Sequence, residues 1–177
     1  MGHQEIPATQ GVRFLRERNV AFSPHFYRFE AHGGTGQASE ALGVSEHAVL
    51  KTLVMEADPR RPFLILMHGD LEVSTRALAR ALGVRQVSPC DVAAAQKQTG
   101  YTVGGISPFG TRHPLPVCVE KTVFALPRVF VNGGKRGFLV EIDPKELKRV
   151  FDVEEVSVGI RPVEGAKPGP MNRPQTA

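Results

Sequence analysis

Lys51 stands inside an apolar run, Val49-Leu50-Lys51-Thr52-Leu53-Val54-Met55. Period-two alternation makes this run a buried strand, with Val49, Lys51, Leu53 and Met55 on one face and Leu50, Thr52 and Val54 on the other. An unpaired ammonium in such a row costs several kcal/mol or loses its proton, so an anionic partner or ligand is the simplest explanation. An edge lysine that discourages strand-to-strand association fits the same alternation. Two glycine-rich loops could work with the lysine. The first is Thr99-Gly100-Tyr101-Thr102-Val103-Gly104-Gly105-Ile106-Ser107-Pro108-Phe109-Gly110, and the second is Asn132-Gly133-Gly134-Lys135-Arg136-Gly137. Glycine lets backbone N–H groups close on a phosphate or a carbonyl oxygen with no Cβ in the way, and Pro108 fixes the exit from the first loop. The second loop also reads as a β-hairpin, because Asn132-Gly133 is a favoured type I′ pair between the apolar runs Val129-Phe130-Val131 and Phe138-Leu139-Val140.

Taken in order, Lys51-Thr52-Leu53-Val54, Thr99-Gly100-Tyr101 running into Val103 to Gly110, and Gly133-Gly134-Lys135-Arg136-Gly137 closely resemble the YbaK/EbsC family, which is related to the editing domain of bacterial prolyl-tRNA synthetases. The resemblance runs from about Thr9 to about Ile160. It implies a mixed α/β (α+β) fold, a mixed sheet surrounded by helices, and a free-standing aminoacyl-tRNA deacylase that removes a wrongly attached amino acid in trans. The substrate would be the 3′ end of a mischarged tRNA, above all tRNA(Pro), bearing a small amino acid of the Cys, Ala or Ser type, with prolyl-tRNA synthetase as a candidate partner. In the cysteine-specific branch the substrate's own thiol attacks its carbonyl, and other branches position a water.

Carried over residue by residue, the resemblance gives Lys51 the terminal adenosine or its phosphate, and gives Gly104 and Gly105 the carbonyl or ribose. Tyr27 would wall the site, and Thr52 and Ser107 would supply hydrogen bonds. Pro108, Asn132, Gly133 and Gly134 would complete the substrate-binding surface, and Lys135 and Arg136 would meet tRNA phosphates. Three departures fall on the pocket. Asn132 stands where the cysteine-specific branch has serine, Leu139 stands where it has an acidic residue, and Ala31-His32-Gly33-Gly34-Thr35-Gly36 lacks an aromatic residue. They keep a second reading open, a tRNA- or nucleotide-binding module of this fold without turnover.

Other chemistries find less support. Gly105-Ile106-Ser107-Pro108-Phe109 lacks the second glycine of a serine-hydrolase elbow. His68-Gly69-Asp70 reads as a turn. Cys90 and Cys118 are too few and too far apart for a disulfide scaffold, and the six histidines carry no metal-ligand spacing, so neither a metal nor a cofactor is expected. The 177 residues, 41% hydrophobic and 23% charged, suit one globular domain, and the net charge of +4 with pI near 9.3 is compatible with a polyanionic partner. The N-terminus lacks the sections of a signal peptide and no apolar stretch reaches membrane-spanning length, so a cytoplasmic protein is expected.

The elements that must position these residues alternate between helix and strand. Thr9 caps a helix over Val12 and Leu15, and Phe22 to Phe29 reads as a strand interrupted near Pro24. After a loop from Glu30 to Gly36, a short helix over Ala38 to Leu42 stops at Gly43, and Ser45 to Ala48 forms a helical turn before the Lys51 strand. Phe63 to His68 is the next strand, Ser74 opens a helix that Gly83 ends, and Ser88-Pro89 starts another with Asp91 in its first turn. Strands follow over Leu115 to Glu120, Arg128 to Val131, Phe138 to Ile142 and Glu155 to Val158, with a helix from Pro144 to Phe151. The expected organisation is an N-terminal extension over residues 1–8, a domain over 9–160 and a mobile tail over 161–177.

Overall fold

The computed structural model describes residues 4–164. In chain order it contains α1 (Gln10–Glu17), β1 (Ser23–Phe26), α2 (Gly34–Leu42), β2 (Leu50–Ala57), β3 (Arg61–His68), β4 (Glu72–Val73), α3 (Thr75–Leu82) and β5 (Val87–Pro89). Then come α4 (Val92–Thr99), β6 (Val117–Glu120), β7 (Val129–Lys135), β8 (Phe138–Ile142), α5 (Lys145–Val150), β9 (Val153–Val156) and β10 (Gly159–Ile160). Single 3₁₀ segments, Glu46–Ala48 and Lys121–Ala125, precede β2 and follow β6.

The main sheet has the order β5-β2-β3-β6-β9, antiparallel where β2 meets β5 and β3 and parallel from β3 to β9. This is the mixed sheet expected. Its two faces carry separate cores. Leu50, Val54, Leu64 and Leu66 pack with α1, α4, α5 and the β7–β8 ribbon, whereas Leu53, Met55, Ala57 and Ile65 pack under α3. The period-two split of the Lys51 run is therefore physical, with each face buried against a different set of elements. A second sheet, β1-β8-β7, is antiparallel, and a parallel bridge between Val49 and Phe130 ties it to the entrance of β2.

Capping explains where the helices sit. Thr9 Oγ1 accepts the Val12 N–H (3.0 Å) and donates to the Gly133 carbonyl (2.5 Å), so one hydroxyl both starts α1 and fastens it to the second glycine loop. Ser74 caps α3, with Gly83 left-handed at its end.

Several boundaries differ from the sequence expectation. Ser88-Pro89 does not start a helix. It belongs to β5, paired to Met55 and Glu56, and Asp91 is the N-cap of α4, accepting the Ala94 N–H at 2.7 Å. An edge strand tolerates the proline that a central one would reject. The first strand is shorter than expected, α2 begins at Gly34 within the expected loop, and the last long strand is shifted to Val153–Val156 by its parallel register with β6. The β7–β8 hairpin is present, but Asn132-Gly133 is not its turn. The chain reverses at Arg136-Gly137, and Asn132 to Lys135 form an irregular bulge. Packing decides this: a Cβ on Gly133 would overlap the Phe138 ring, and that fully buried ring fills the space where a tight turn would lie. The expected tail lies mostly outside the described residues. Among those residues no helix is long and apolar enough to cross a membrane.

Gly133→Ala is expected to lower the unfolding free energy by about 1–3 kcal/mol, the usual cost of overpacking. Urea unfolding of the two proteins checks this.

Candidate active site

A cleft of about 970 Å³ opens between α2, the entrance of β2, the loop after α4 and the β7–β8 hairpin. Lys51, Thr52, Tyr27, Gly104, Asn132 and Arg136 all line it. Residues scattered over more than a hundred positions of sequence thus meet at one opening.

Lys51 is anchored but not neutralised. Its Nζ donates to the Leu71 carbonyl at 2.7 Å, and among the described residues it has no carboxylate within salt-bridge distance. Burial lowers the amine below the ordinary lysine range, and the charges of Glu46, Glu72 and Asp70 draw it part of the way back. In strand order β2 lies between β5 and β3. However, β5 pairs only with Met55, Glu56 and Ala57, so at Lys51 the strand has no β5 partner, and the edge-lysine reading describes the local pairing though not the strand's place in the sheet.

Beside it, Thr52 carries the one buried side-chain polar atom among the described residues with no hydrogen-bond partner, its Oγ1. Leaving a buried hydroxyl unsatisfied costs about 1–3 kcal/mol, which a ligand in the cleft could recover. Thr35 Oγ1 donates to Glu46 Oε1 (2.8 Å) and to the Gly69 carbonyl (3.2 Å), fixing the carboxylate that faces the lysine. Behind this wall the His68 ring is fully buried and stacks on His47, with centroids 3.6 Å apart. Its nitrogens contact the His47 carbonyl and Thr122 Oγ1, and His47 in turn meets Asp70 at 2.8 Å. Burial holds His68 below the ordinary histidine range. His68-Gly69-Asp70 is the turn expected, a buttress under Glu46.

Only part of each glycine loop reaches the cleft. Tyr101 sends its hydroxyl to the Phe109 carbonyl, buried Phe109 holds the end of the first loop in the core, and buried Ile106 lies in the floor of the cleft. The exposed tip is Val103-Gly104. Gly104 has φ 92°, its carbonyl accepts from Asn132 Nδ2 (3.2 Å), and its N–H has no acceptor among the described residues. The Gly105 N–H is already donated to Thr102 (2.8 Å), and a Cβ there would lie 2.8 Å from the Arg136 backbone nitrogen. Gly105 is therefore where the two loops touch, and the free donor is one residue earlier.

Ser107 is fully buried, with its Oγ accepting the Phe109 N–H at 3.2 Å, and Pro108 is buried beside it. Neither lines the cleft. Gly133 and Gly134 face Thr9, Tyr101 and Phe138 instead, and Lys135 is exposed outside the cleft wall. Arg136 does face it, donating Nε to the Val103 carbonyl (2.9 Å) with its guanidinium 5.1 Å from the Phe29 ring. Sequence reasoning missed Glu46, Glu72 and Phe29 as lining residues, whereas His32 lies in the stretch it placed on the pocket. No local motif marks those three, and only their convergence does. Leu139 joins Ala38, Val49 and Phe130 in an apolar cluster, against which half-buried Tyr27 packs. Cys90 and Cys118 are buried free thiols pushed up to about 11 by burial, so neither is a nucleophile. Among the described residues no group of three or more His, Cys, Asp or Glu is placed to hold a metal ion.

Comparisons with known proteins identify the family of this five-stranded mixed-sheet fold. The model of the aminoacyl-tRNA editing domain matches residues 33–150, and the chain belongs to that family. It is 32% identical over 155 residues to YwhH of Bacillus subtilis, a protein named as uncharacterised, covering 86% of this chain and 92% of YwhH. It is 26% identical over 140 residues to EbsC of Enterococcus faecalis, whose name proposes a Cys-tRNA(Pro)/Cys-tRNA(Cys) deacylase, covering 78% of this chain and 85% of EbsC. A crystal structure described as that of a proposed trans-editing enzyme for prolyl tRNA synthetase superposes with TM-score 0.77 at 21% identity, over 88% of this chain and 98% of that one, which shows the shared fold.

Since the folded Lys51 amine titrates below its unfolded value, the unfolded chain binds more protons between the two, and stability rises with pH through that window. The unfolding free energy of the wild type relative to Lys51→Met is expected to increase as pH is raised from neutrality towards the ordinary lysine value, about 10.4. Denaturant titrations at stepped pH check the slope; a flat difference would mean that the amine is not desolvated.

Proposed function

We propose that this protein is a trans-editing aminoacyl-tRNA deacylase that hydrolyses the ester between a small amino acid and the 3′ end of a mischarged tRNA, with tRNA(Pro) as the preferred carrier. The observation that carries the reading is the convergence on one cleft of an ammonium with no salt-bridge partner (Lys51) and a backbone N–H with no acceptor (Gly104) among the described residues, with Thr52 in the same wall. An aminoacyl ester on a terminal adenosine supplies an anionic phosphate for the first and a carbonyl oxygen for the second.

The linkage is activated compared with an amide, so positioning and oxyanion stabilisation suffice. Water adds to the ester carbonyl, negative charge develops on the oxygen held by the Gly104 N–H, and the tetrahedral adduct collapses with the ribose oxygen leaving and taking a proton. Neither Ser107 nor either thiol lines the cleft. In this reading the attacking group is water or, with a cysteinyl ester, the substrate's own thiol. Tyr27 and Leu139 supply an apolar wall that favours a small side chain of the Cys, Ala or Ser type. Asn132 holds the Gly104 carbonyl and so orients the loop tip, while Arg136, which lines the cleft, would meet a tRNA phosphate. EbsC's name, and the 31% identity to proline–tRNA ligase of Moorella thermoacetica over 22% of that enzyme's length, support tRNA(Pro) and make prolyl-tRNA synthetase a candidate partner.

Incubation with Cys-, Ala- and Ser-tRNA(Pro) is expected to release at least one of the amino acids, with kcat/KM lowered about 100-fold or more in Lys51→Ala and about 10-fold in Thr52→Val. Binding of these tRNAs without release of any amino acid would identify a binding module instead. Unchanged release by Lys51→Ala would remove the lysine from the site.

A further inference from the structure

Five arginines gather at the opposite end of β2 from the cleft. Arg76 and Arg80 lie four residues apart on the outer face of α3, whose Leu78 and Ala79 face the core. After Gly83 the chain doubles back towards β5 and brings Arg85 against the same helix, leaving a groove of about 330 Å³ lined by Arg76, Arg80 and Arg85 with Thr75 and Gln86. The Asp58 N–H donates to the Gln86 carbonyl (3.1 Å), and Ala57 pairs with both Arg61 and Val87, so the Arg60-Arg61 turn joins the same edge.

All five side chains are exposed, and among the described residues none has a carboxylate within salt-bridge distance. Asp58, the acid of the turn, offers Arg61 its backbone carbonyl at 3.4 Å. By contrast, Arg128 and Arg149 are paired, with Glu141 and Glu146. A cluster of like charges without local compensation repels itself and attracts a polyanion, and guanidinium groups match phosphate oxygens with two parallel donors.

We infer that this arginine groove docks the phosphate backbone of a tRNA acceptor stem while the cleft takes the 3′ end. The proposal rests on the reading of the cleft as an aminoacyl-tRNA site. Placement supports it. α3 packs on the face of β2 that carries Leu53, Met55 and Ala57, the face from which Lys51 also projects. The six residue steps from Lys51 to Ala57 span about 20 Å at a strand rise of about 3.3 Å. Phosphates of a stacked strand repeat every 3.4 Å or so, so that distance spans about six nucleotides, past a short single-stranded end and into the first pairs of a stem. A lipid surface fits less well. The exposed large apolar side chains among the described residues are Ile160 and Val163, and neither lines the groove.

The test compares wild type with Arg76→Ala/Arg80→Ala/Arg85→Ala for binding to uncharged tRNA(Pro), to the trinucleotide CpCpA and to vesicles of phosphatidylglycerol, over a range of salt. The triple variant is expected to lose tenfold or more in tRNA affinity and to show a shallower log–log salt slope, by roughly two to three, while CpCpA affinity and melting temperature stay as in the wild type. Unchanged tRNA affinity and salt slope in the variant would overturn the proposal, as would a wild type that does not bind tRNA, or loss of vesicle binding with tRNA binding intact. Wild-type protein that binds tRNA through this groove yet releases no amino acid in the panel above would leave the groove standing and refute the deacylase reading. The two can thus fail separately.

Discussion

A half-buried ammonium in an apolar strand has to be stabilised by something, and much of the cleft is built around how this one is held. The Leu71 carbonyl gives Lys51 a directed hydrogen bond, and Glu46, Glu72 and Asp70 supply field without contact. A direct salt bridge would have used up the charge. This arrangement leaves the amine without a salt-bridge partner among the described residues, at a cost in desolvation that the rest of the fold must cover. Gly69 shows how tightly this is drawn. A Cβ there would lie 2.7 Å from the Glu46 and Val49 carbonyl oxygens and from Thr35 Oγ1, so the turn that carries Leu71 packs directly on the segment that carries Glu46.

The glycine loops serve the same end by rigid support. The first is closed by Tyr101 on the Phe109 carbonyl and anchored by buried Ile106 and Phe109, and the second is tied to α1 through Thr9 and wedged by Phe138. They meet at Gly105 against the Arg136 backbone, with Asn132 and Arg136 each donating to a carbonyl of the opposite loop. What remains exposed is the short tip at Val103-Gly104. A donor set on a tip held from both sides is preorganised, and preorganisation is what the proposed oxyanion contact needs.

Much of this was legible in the residues. Thr9, Ser74 and Gly83 announced their helix ends, because capping is local chemistry. The alternation around Lys51 named the right two faces, and the apolar runs of β3 and β8 announced themselves. Misreadings occurred where two local signals competed and packing chose between them. Ser88-Pro89 can start a helix or end an edge strand, and β2 claimed it. Asn132-Gly133 can make a tight turn, but the Phe138 ring needed that space, so the reversal moved to Arg136-Gly137.

The sequence alone determined that a lysine sits in a buried strand, that two glycine-rich loops accompany it, and which family these motifs resemble, since such features depend on neighbours a few residues apart. Tertiary structure alone decided which atoms of those loops are still free. Ser107, Gly105 and Gly133 look as chemically available as Gly104 in a string of letters, yet Ser107 Oγ accepts the Phe109 N–H, the Gly105 N–H is donated to Thr102, and the Phe138 ring fills the space at Gly133. Glu46, and the arginines of α3 and of the segment before β5, gain meaning only from partners that chain folding brings near or withholds. A hydrogen bond or a charge contact is a fact about distance in space, and the chain order of residues does not contain it.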